Sequence, residues 1–249
     1  MHREILKDKF LQNTLNERGY VVIPGFLDDL QVNRLSEAYG EVAPAVRPGF
    51  HVSNFLENRT HRLSLSKIIS DVVGVKAKAI TEGYRPLLGL MYVKEPGVAE
   101  KFYFHLDVNV VDEKEYDSLS IWIPLVDIDE KNGAMQMLRG SHREELRLRG
   151  SPMFFHPSYD EDELKSKYPI DTLQLKKGDA VIWTHRLFHG SLGNFTNQPR
   201  IAASLIMIPE EALPLHLYKN DSGQIEIYKA EEMFYIENDF GQKPRAENL

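Results

Sequence analysis

The run KFYFHLDVNVV, residues 101–111, sets a histidine and an aspartate two positions apart among apolar and aromatic residues. In an extended chain the side chains alternate, so His105, Asp107 and Asn109 are expected on one face and Phe104, Leu106 and Val108 on the other. An imidazole and a carboxylate are costly to bury unless something pairs with them, and a metal ion is one such partner. Similar short runs surround this one. RPLLGLMYVKEPG, SLSIWIPLVDI, GAMQML, DTLQL, GDAVIWTH and RIAASLIMI are apolar or alternating, and Gly, Pro, Asp and Asn clusters separate them. They read as the strands of a β-barrel or jelly roll.

The first 77 residues have a different texture. RGYVVIPGFLDDLQVNRLSEAYGEV opens with a β-branched run and turns at Pro24-Gly25. It then becomes helical, with Asp28 or Asp29 as the N-cap and Leu30, Leu35 and Ala38 on the apolar face. THRLSLSKIISDVV, residues 60–73, reads as a second helix ending at Gly74. A helical N-terminal layer (1–77), a jelly-roll core (78–208) and a C-terminal extension (209–249) are expected as one mainly β domain. The long polar stretch 140–170 interrupts the strands as an insert loop.

With 42% hydrophobic and 27% charged residues, the composition is that of an ordinary globular protein. The formal net charge of −7 argues against nucleic-acid or membrane-surface binding and leaves a small molecule as the expected partner. MHREILKDKFLQ has no apolar core of the kind an export signal needs, and no run approaches the roughly 20 apolar residues of a membrane span, so a cytoplasmic location is expected. The chain has no cysteine, and any metal must be held by nitrogen and oxygen.

Two histidines and one carboxylate with open positions are the ligand set of non-haem Fe(II) oxygenases. His185 and His189, which flank the end of GDAVIWTHRLFHGS, stand out as sources of the missing ligand. Such iron sites commonly draw electrons from 2-oxoglutarate, whose distal carboxylate suits a bidentate arginine. Arg200 begins an apolar strand where an unpaired charge is expensive. Ser204 shares its face and can assist.

HLD, SIWIPLVDIDEKNGAMQMLRGSH and GDAVIWTHRLFHGSLGNFTNQPR together resemble the phytanoyl-CoA dioxygenase family of Fe(II)/2-oxoglutarate-dependent oxygenases, and GYVVIPGFLDD matches its usual opening. The resemblance covers roughly residues 17–208 and implies a double-stranded β-helix of the jelly-roll, cupin-like kind. It also implies Fe(II) on His105, Asp107 and His189, 2-oxoglutarate on Arg200 eleven residues beyond His189, and O₂ as the third reactant. Trp122 and Tyr92 fall where relatives contact the co-substrate. Arg139 departs from the proline that relatives carry before their GSH.

Asn109, Gln136, His185 and Phe104 are the candidates for substrate contact, with His185 alternatively behind the metal ligands and Asn109 alternatively a turn-edge hydrogen bonder. The cluster Arg139, Arg143, Arg147 and Arg149, interleaved with Glu144 and Glu145, reads as a solvated helical face rather than an anion site. Phe154, Phe155 and Tyr159 are candidates for a lid over an apolar substrate or, equally, for fastening the loop to the barrel. The expected reaction is hydroxylation of an unactivated C–H bond in a small metabolite or biosynthetic intermediate, releasing succinate and CO₂. The carboxylate at Asp107 argues against halogenation, which needs that position open for a halide. The alternatives are a cupin-like metalloprotein with other chemistry, such as an isomerase, and a catalytically silent 2-oxoglutarate sensor.

Overall fold

The computed structural model describes residues 4–42, 49–97, 101–151, 159–231, 233–239 and 241–244. Three helices precede or interleave with the first strands: α1 (Lys9–Arg18), α2 (Asp29–Val42) and α3 (Arg59–Ile80). The strands are β1 (Tyr20–Ile23), β2 (Phe50–Val52), β3 (Tyr84–Lys94), β4 (Phe102–His105), β5 (Leu119–Pro124) and β6 (Met135–Leu138), continuing with β7 (Ile170–Thr172), β8 (Ala180–Thr184), β9 (His189–Ser191) and β10 (Arg200–Pro209). A hairpin of β11 (Leu215–Lys219) and β12 (Ile225–Lys229) follows. Two short helices complete the description, α4 (Glu161–Lys167) in the insert and α5 (Phe234–Glu237) after the hairpin.

Six strands form a major antiparallel sheet in the order β1-β8-β5-β10-β3-β2, and four form a minor sheet in the order β4-β9-β6-β7. This is the jelly roll expected from the run of short strands. The alternation of side chains gives each face of the major sheet its own task. Met91, Val93, Ile121, Ile123, Ile182, Ala203 and Leu205 point outward into a core shared with Val32, Leu35, Leu65, Ile69 and Val73 of the helices. The intervening Tyr92, Trp122, Val181, Trp183 and Ala202 point inward and meet Met135 and Met137 of the minor sheet. Burying an aliphatic side chain of this size contributes about 1.5–3 kcal/mol, so the helical layer holds the major sheet rigid from outside.

The α2 start is a reciprocal cap: Asp28 Oδ1 accepts from the Gln31 N–H at 2.9 Å, and Gln31 Oε1 accepts from the Asp28 N–H at 3.2 Å. Leu30, expected on the apolar face, is instead exposed, because the buried stripe runs through Val32, Leu35 and Tyr39. Helix α3 does not stop at Gly74 but continues to Ile80. Gly74 sits in the contact with the sheet, where an added Cβ would lie 3.3 Å from Pro86 Cγ. Its role is close approach, not termination.

The strand read from residues 101–111 is also shorter than its pattern suggests. It ends at His105, and residues 106–109 have no regular structure. The insert 140–170 is not wholly loop: it holds a 3-10 turn at Ser141–Arg143 and α4. The lid candidates Phe154 and Phe155 lie outside the described residues, whereas Tyr159 stacks edge-on against Phe188 on the outer side of the minor sheet. In the C-terminal extension, Tyr228 of β12, Ala230 just after it, and Phe234 and Ile236 of α5 join a cluster with Leu88, Val110, Val111 and Ile208.

Helix α3 crosses β3 tightly at Gly89, where a Cβ would come within 2.7 Å of the Ser66 carbonyl oxygen and 2.8 Å of Ile69 Cβ. Backbone cannot yield as a flexible side chain does. Gly89→Ala is expected to lower stability by about 1–3 kcal/mol in urea unfolding; an unchanged midpoint and slope would show that the helix can move away.

Candidate metal centre and anion pocket

His105 and His189 are directly opposite each other in the β4–β9 pairing, which brings their ring centroids to 4.3 Å. The pairing requires glycine at position 190, since a Cβ there would lie 2.6 Å from the Phe102 carbonyl oxygen. That explains the Gly after the histidine in HGS. Each ring is held in the same way. His105 Nδ1–H donates to the Tyr103 carbonyl at 2.9 Å and His189 Nδ1–H to the Leu187 carbonyl at 3.0 Å. Both Nε2 atoms are thereby turned inward, the orientation a metal ligand needs.

Asp107 follows β4 and turns its carboxylate to the same point. One ligand atom from each of His105, Asp107 and His189 lies within 4.8 Å of the others, with His189 Nε2 and Asp107 Oδ1 3.7 Å apart. Asp107 Oδ2 accepts from Trp183 Nε1–H at 2.9 Å, and the Ser120 hydroxyl lies 3.2 Å away. Trp183 and Ser120 are register partners on β8 and β5. Burial works to raise the Asp107 pKa, but the three nearby imidazoles and the indole N–H outweigh it and hold the acid well below its ordinary range. Burial, reinforced by His189, brings His105 down to about 4, so its imidazole is neutral at physiological pH.

His185 stands behind this group. It belongs to the turn between β8 and β9, not to the strand that bears His189. Its Nδ1–H donates to the Val108 carbonyl at 3.1 Å, and its Nε2 lies 3.1 Å from Ser120 Oγ and 3.8 Å from Asp107 Oδ2. It is buried and does not line the cavity. The structure therefore gathers His105, Asp107 and His189 and places His185 behind the carboxylate.

The cavity beside these residues has a volume of about 310 Å³ and is walled by Phe50, Tyr92, Phe102, Trp122, Met135 and Trp183. At one end lies Arg200, which is only 2% exposed. Its guanidinium carbon sits 5.5 Å from the Trp122 ring centroid, and its Nε has no hydrogen-bond partner. Burial brings its pKa down to about 10. Among the described residues no carboxylate pairs with it. Tyr92 lines the same cavity, and burial, then the charge of Asp107, raises its hydroxyl pKa strongly.

Sequence reading missed Lys94, the register partner of Arg200 at the end of β3. It is 1% exposed, and its ammonium donates to Ser191 Oγ at 3.0 Å and the Leu192 carbonyl at 2.5 Å. Burial, and secondarily Arg200, pulls its pKa down to about 7. The available signal was a lysine at the end of the apolar run RPLLGLMYVK, where a charge is expensive. Trp183 and Ser120 were also missed, although both stand on the inward parity of their strands.

Other expected contacts are not in the cavity wall. Phe104 packs outside the minor sheet with Leu138, Leu164 and Phe188, because strand alternation turns it away from His105. Gln136 donates to Thr172 Oγ1 at 3.1 Å within the minor sheet. Asn109 Oδ1 accepts from the Arg149 N–H at 2.7 Å, the hydrogen-bonding alternative raised for it. Ser204 is buried on β10 beside Trp122 but does not line the cavity. The arginine cluster is not one solvated helical face. Arg149 is buried in an ion pair with Glu113, and only a single 3-10 turn forms there.

A jelly roll whose interior presents a His-Asp-His triad is the architecture of the iron- and 2-oxoglutarate-dependent oxygenases. The model of the phytanoyl-CoA dioxygenase (PhyH) family matches residues 15–202, and the chain belongs to that family. Phytanoyl-CoA dioxygenase 1 of Oryza sativa subsp. japonica is 26% identical over 227 residues, spanning 84% of this chain and 72% of the relative. Among solved structures, the non-heme alpha ketoglutarate dependent carbocyclase SnoK from nogalamycin biosynthesis superposes with a TM-score of 0.64 at 18% identity, over 83% of this chain and 86% of its own. The epimerase SnoN in complex with Fe3+, alpha ketoglutarate and nogalamycin RO gives a TM-score of 0.59 at 22% identity, over 83% and 85% of the two chains. No helix among the described residues is long and apolar enough to cross a membrane.

Trp183→Phe keeps an aromatic ring, smaller than the indole, and removes the N–H whose hydrogen bond Asp107 accepts. Divalent-metal affinity is expected to fall by about 10- to 100-fold, as is usual when a partner of a metal-binding carboxylate is lost. Titration of the metal-free protein with Fe(II) under anaerobic conditions checks this, and an unchanged dissociation constant contradicts it.

Proposed function

We propose that this chain is an oxygenase domain that binds Fe(II) through His105, Asp107 and His189 and takes 2-oxoglutarate and O₂ as co-substrates. The observation that carries this reading is the separation of charges within one cavity. A carboxylate flanked by two imidazoles stands at one place, and a buried guanidinium without an acid among the described residues stands at another. Two imidazole nitrogens and one carboxylate oxygen are a donor set suited to Fe(II) and leave positions open for co-substrate. When bound, iron would activate O₂, the oxidant, while 2-oxoglutarate would supply two electrons and leave as succinate and CO₂.

The residues of the chain bind, orient and exclude water. Arg200 receives the distal carboxylate of 2-oxoglutarate, and Lys94, its register partner just behind the cavity wall, adds a second positive charge. Trp122 and Tyr92 form the wall along the chain between that carboxylate and the metal ligands. Trp183 and Ser120 fix Asp107, and the Tyr103 and Leu187 carbonyls fix the two imidazoles. The aromatic wall of Phe50 and Phe102 faces the remaining space, which suits a small, largely apolar metabolite or biosynthetic intermediate. Hydroxylation of one of its C–H bonds is the proposed outcome. Carbocyclase and epimerase neighbours share the fold, so ring closure or epimerisation by the same centre is the second reading.

An arginine–carboxylate hydrogen bond contributes about 1.5–3 kcal/mol. Arg200→Ala is therefore expected to weaken 2-oxoglutarate binding by roughly ten- to over a hundredfold in equilibrium dialysis against the Fe(II)-loaded protein. Equal affinity in both proteins would remove Arg200 from the site and with it the 2-oxoglutarate reading.

Lys94 adds a pH dependence. Its pKa near 7 in the empty site must rise when a carboxylate binds beside it, so binding takes up a proton above pH 7. Affinity for 2-oxoglutarate should be greatest below pH 7 and fall by up to about tenfold per unit above it. Lys94→Met should bind more weakly at pH 6.5 and lose that slope. A wild-type affinity that is flat from pH 6.5 to 9 would contradict the assignment.

A further inference from the structure

The segment that delivers Asp107 lacks the support its neighbours have. Residues 106–109 form no sheet pairing, so no ladder of hydrogen bonds orients the carboxylate. Three other contacts hold this backbone. The Asp107 carbonyl accepts from Arg149 Nε–H at 2.6 Å, the Val108 carbonyl from His185 at 3.1 Å, and Asn109 Oδ1 from the Arg149 backbone N–H at 2.7 Å. Two of the three come from Arg149.

Arg149 is itself fixed on every side. Its Nη1 and Nη2 donate to Glu113 Oε2 and Oε1 at 2.9 and 2.5 Å, a bidentate pair whose side chains are 4% and 3% exposed. Nη1 also donates to the Arg147 carbonyl at 2.7 Å. Two residues further on, Ser151 exchanges backbone hydrogen bonds of 2.9 Å with Leu217 and Lys219, which ties the segment to β11. On the other side, Leu215 N–H donates to the Val110 carbonyl at 2.8 Å. Residues 107–113 are thus held between Arg149 and the C-terminal hairpin.

A buried ion pair is a poor device for stability, because desolvating two charges offsets their attraction and apolar replacements are often neutral. What the guanidinium offers instead is direction: five N–H donors in one rigid plane, here spread over the Asp107, Arg147 and His185 carbonyls and the Glu113 carboxylate. We infer that Arg149 and Glu113 are a positioning pair for Asp107, orienting its carboxylate for the metal rather than stabilising the fold. The inference rests on the metal-site reading above. It gives the 140–151 segment and the C-terminal hairpin a shared task in supporting the site.

The double variant Arg149→Met/Glu113→Leu removes both charges and leaves neither orphaned. Its metal-free unfolding temperature and its Fe(II) dissociation constant are compared with those of the wild type, by calorimetry under anaerobic conditions. Arg149→Lys is run beside it, since an ammonium can pair with Glu113 yet cannot also reach the Asp107 carbonyl in the fork geometry. The expected result is an Fe(II) dissociation constant raised about 10- to 100-fold in both variants, with the double variant melting within about 4 °C of the wild type. Wild-type Fe(II) affinity in either folded variant overturns the inference, and so does a double variant that fails to fold while Arg149→Lys binds Fe(II) normally. Failure of the wild type itself to bind Fe(II) is a different outcome, which overturns the metal-site reading on which the pair depends.

Discussion

The interior of this barrel keeps opposite charges apart. Asp107 is surrounded by imidazoles and neutral donors and has no arginine or lysine partner among the described residues. Arg200 and Lys94 lie side by side and have no acid partner among the described residues. Left to itself such an arrangement is costly, since hydrogen bonds to neutral groups offset only part of the burial of a charge, and the Arg200 Nε has none. A divalent cation at the first place and a dicarboxylate reaching from it to the second would satisfy both. The cavity geometry follows from that requirement.

The rest of the fold holds the two places at a fixed separation. On β3, β5, β8 and β10 the inward positions carry the chemistry and the outward ones pack under the helices. A one-residue slip in any of these strands would exchange the two sets. The helical layer thus makes the register of the site a consequence of burying Ile69, Val73 and Leu35. At the minor sheet, Gly190 lets β9 approach β4 closely enough for His105 and His189 to converge.

Much of this was legible in the sequence because it depends on period and on residue type. Short alternating runs implied the jelly roll, and the costly polar residues His105, Asp107 and Arg200 marked the interior. What escaped depends on contacts between distant segments. Nothing local to Lys94 says that it faces Arg200 across β3 and β10. Arg149 lies in a stretch rich in charge, where a solvated face is the ordinary expectation, yet Glu113 from 36 residues away takes it inside. Gly74 and Leu30 misled for the opposite reason: local propensity suggested a helix end and a buried face, and packing against the sheet decided otherwise. Phe104 stands on the face that alternation assigns to it, away from the cavity.

The central claim is that one cavity chelates 2-oxoglutarate at a metal held by His105, Asp107 and His189. It is tested most directly by adding 2-oxoglutarate to the Fe(II)-loaded protein without oxygen and recording the visible spectrum. The account predicts a broad metal-to-ligand charge-transfer band that saturates at one equivalent, survives in His185→Ala and is lost in His189→Ala. A protein that binds Fe(II) and 2-oxoglutarate yet gives no such band, or a band that His189→Ala retains, would contradict it.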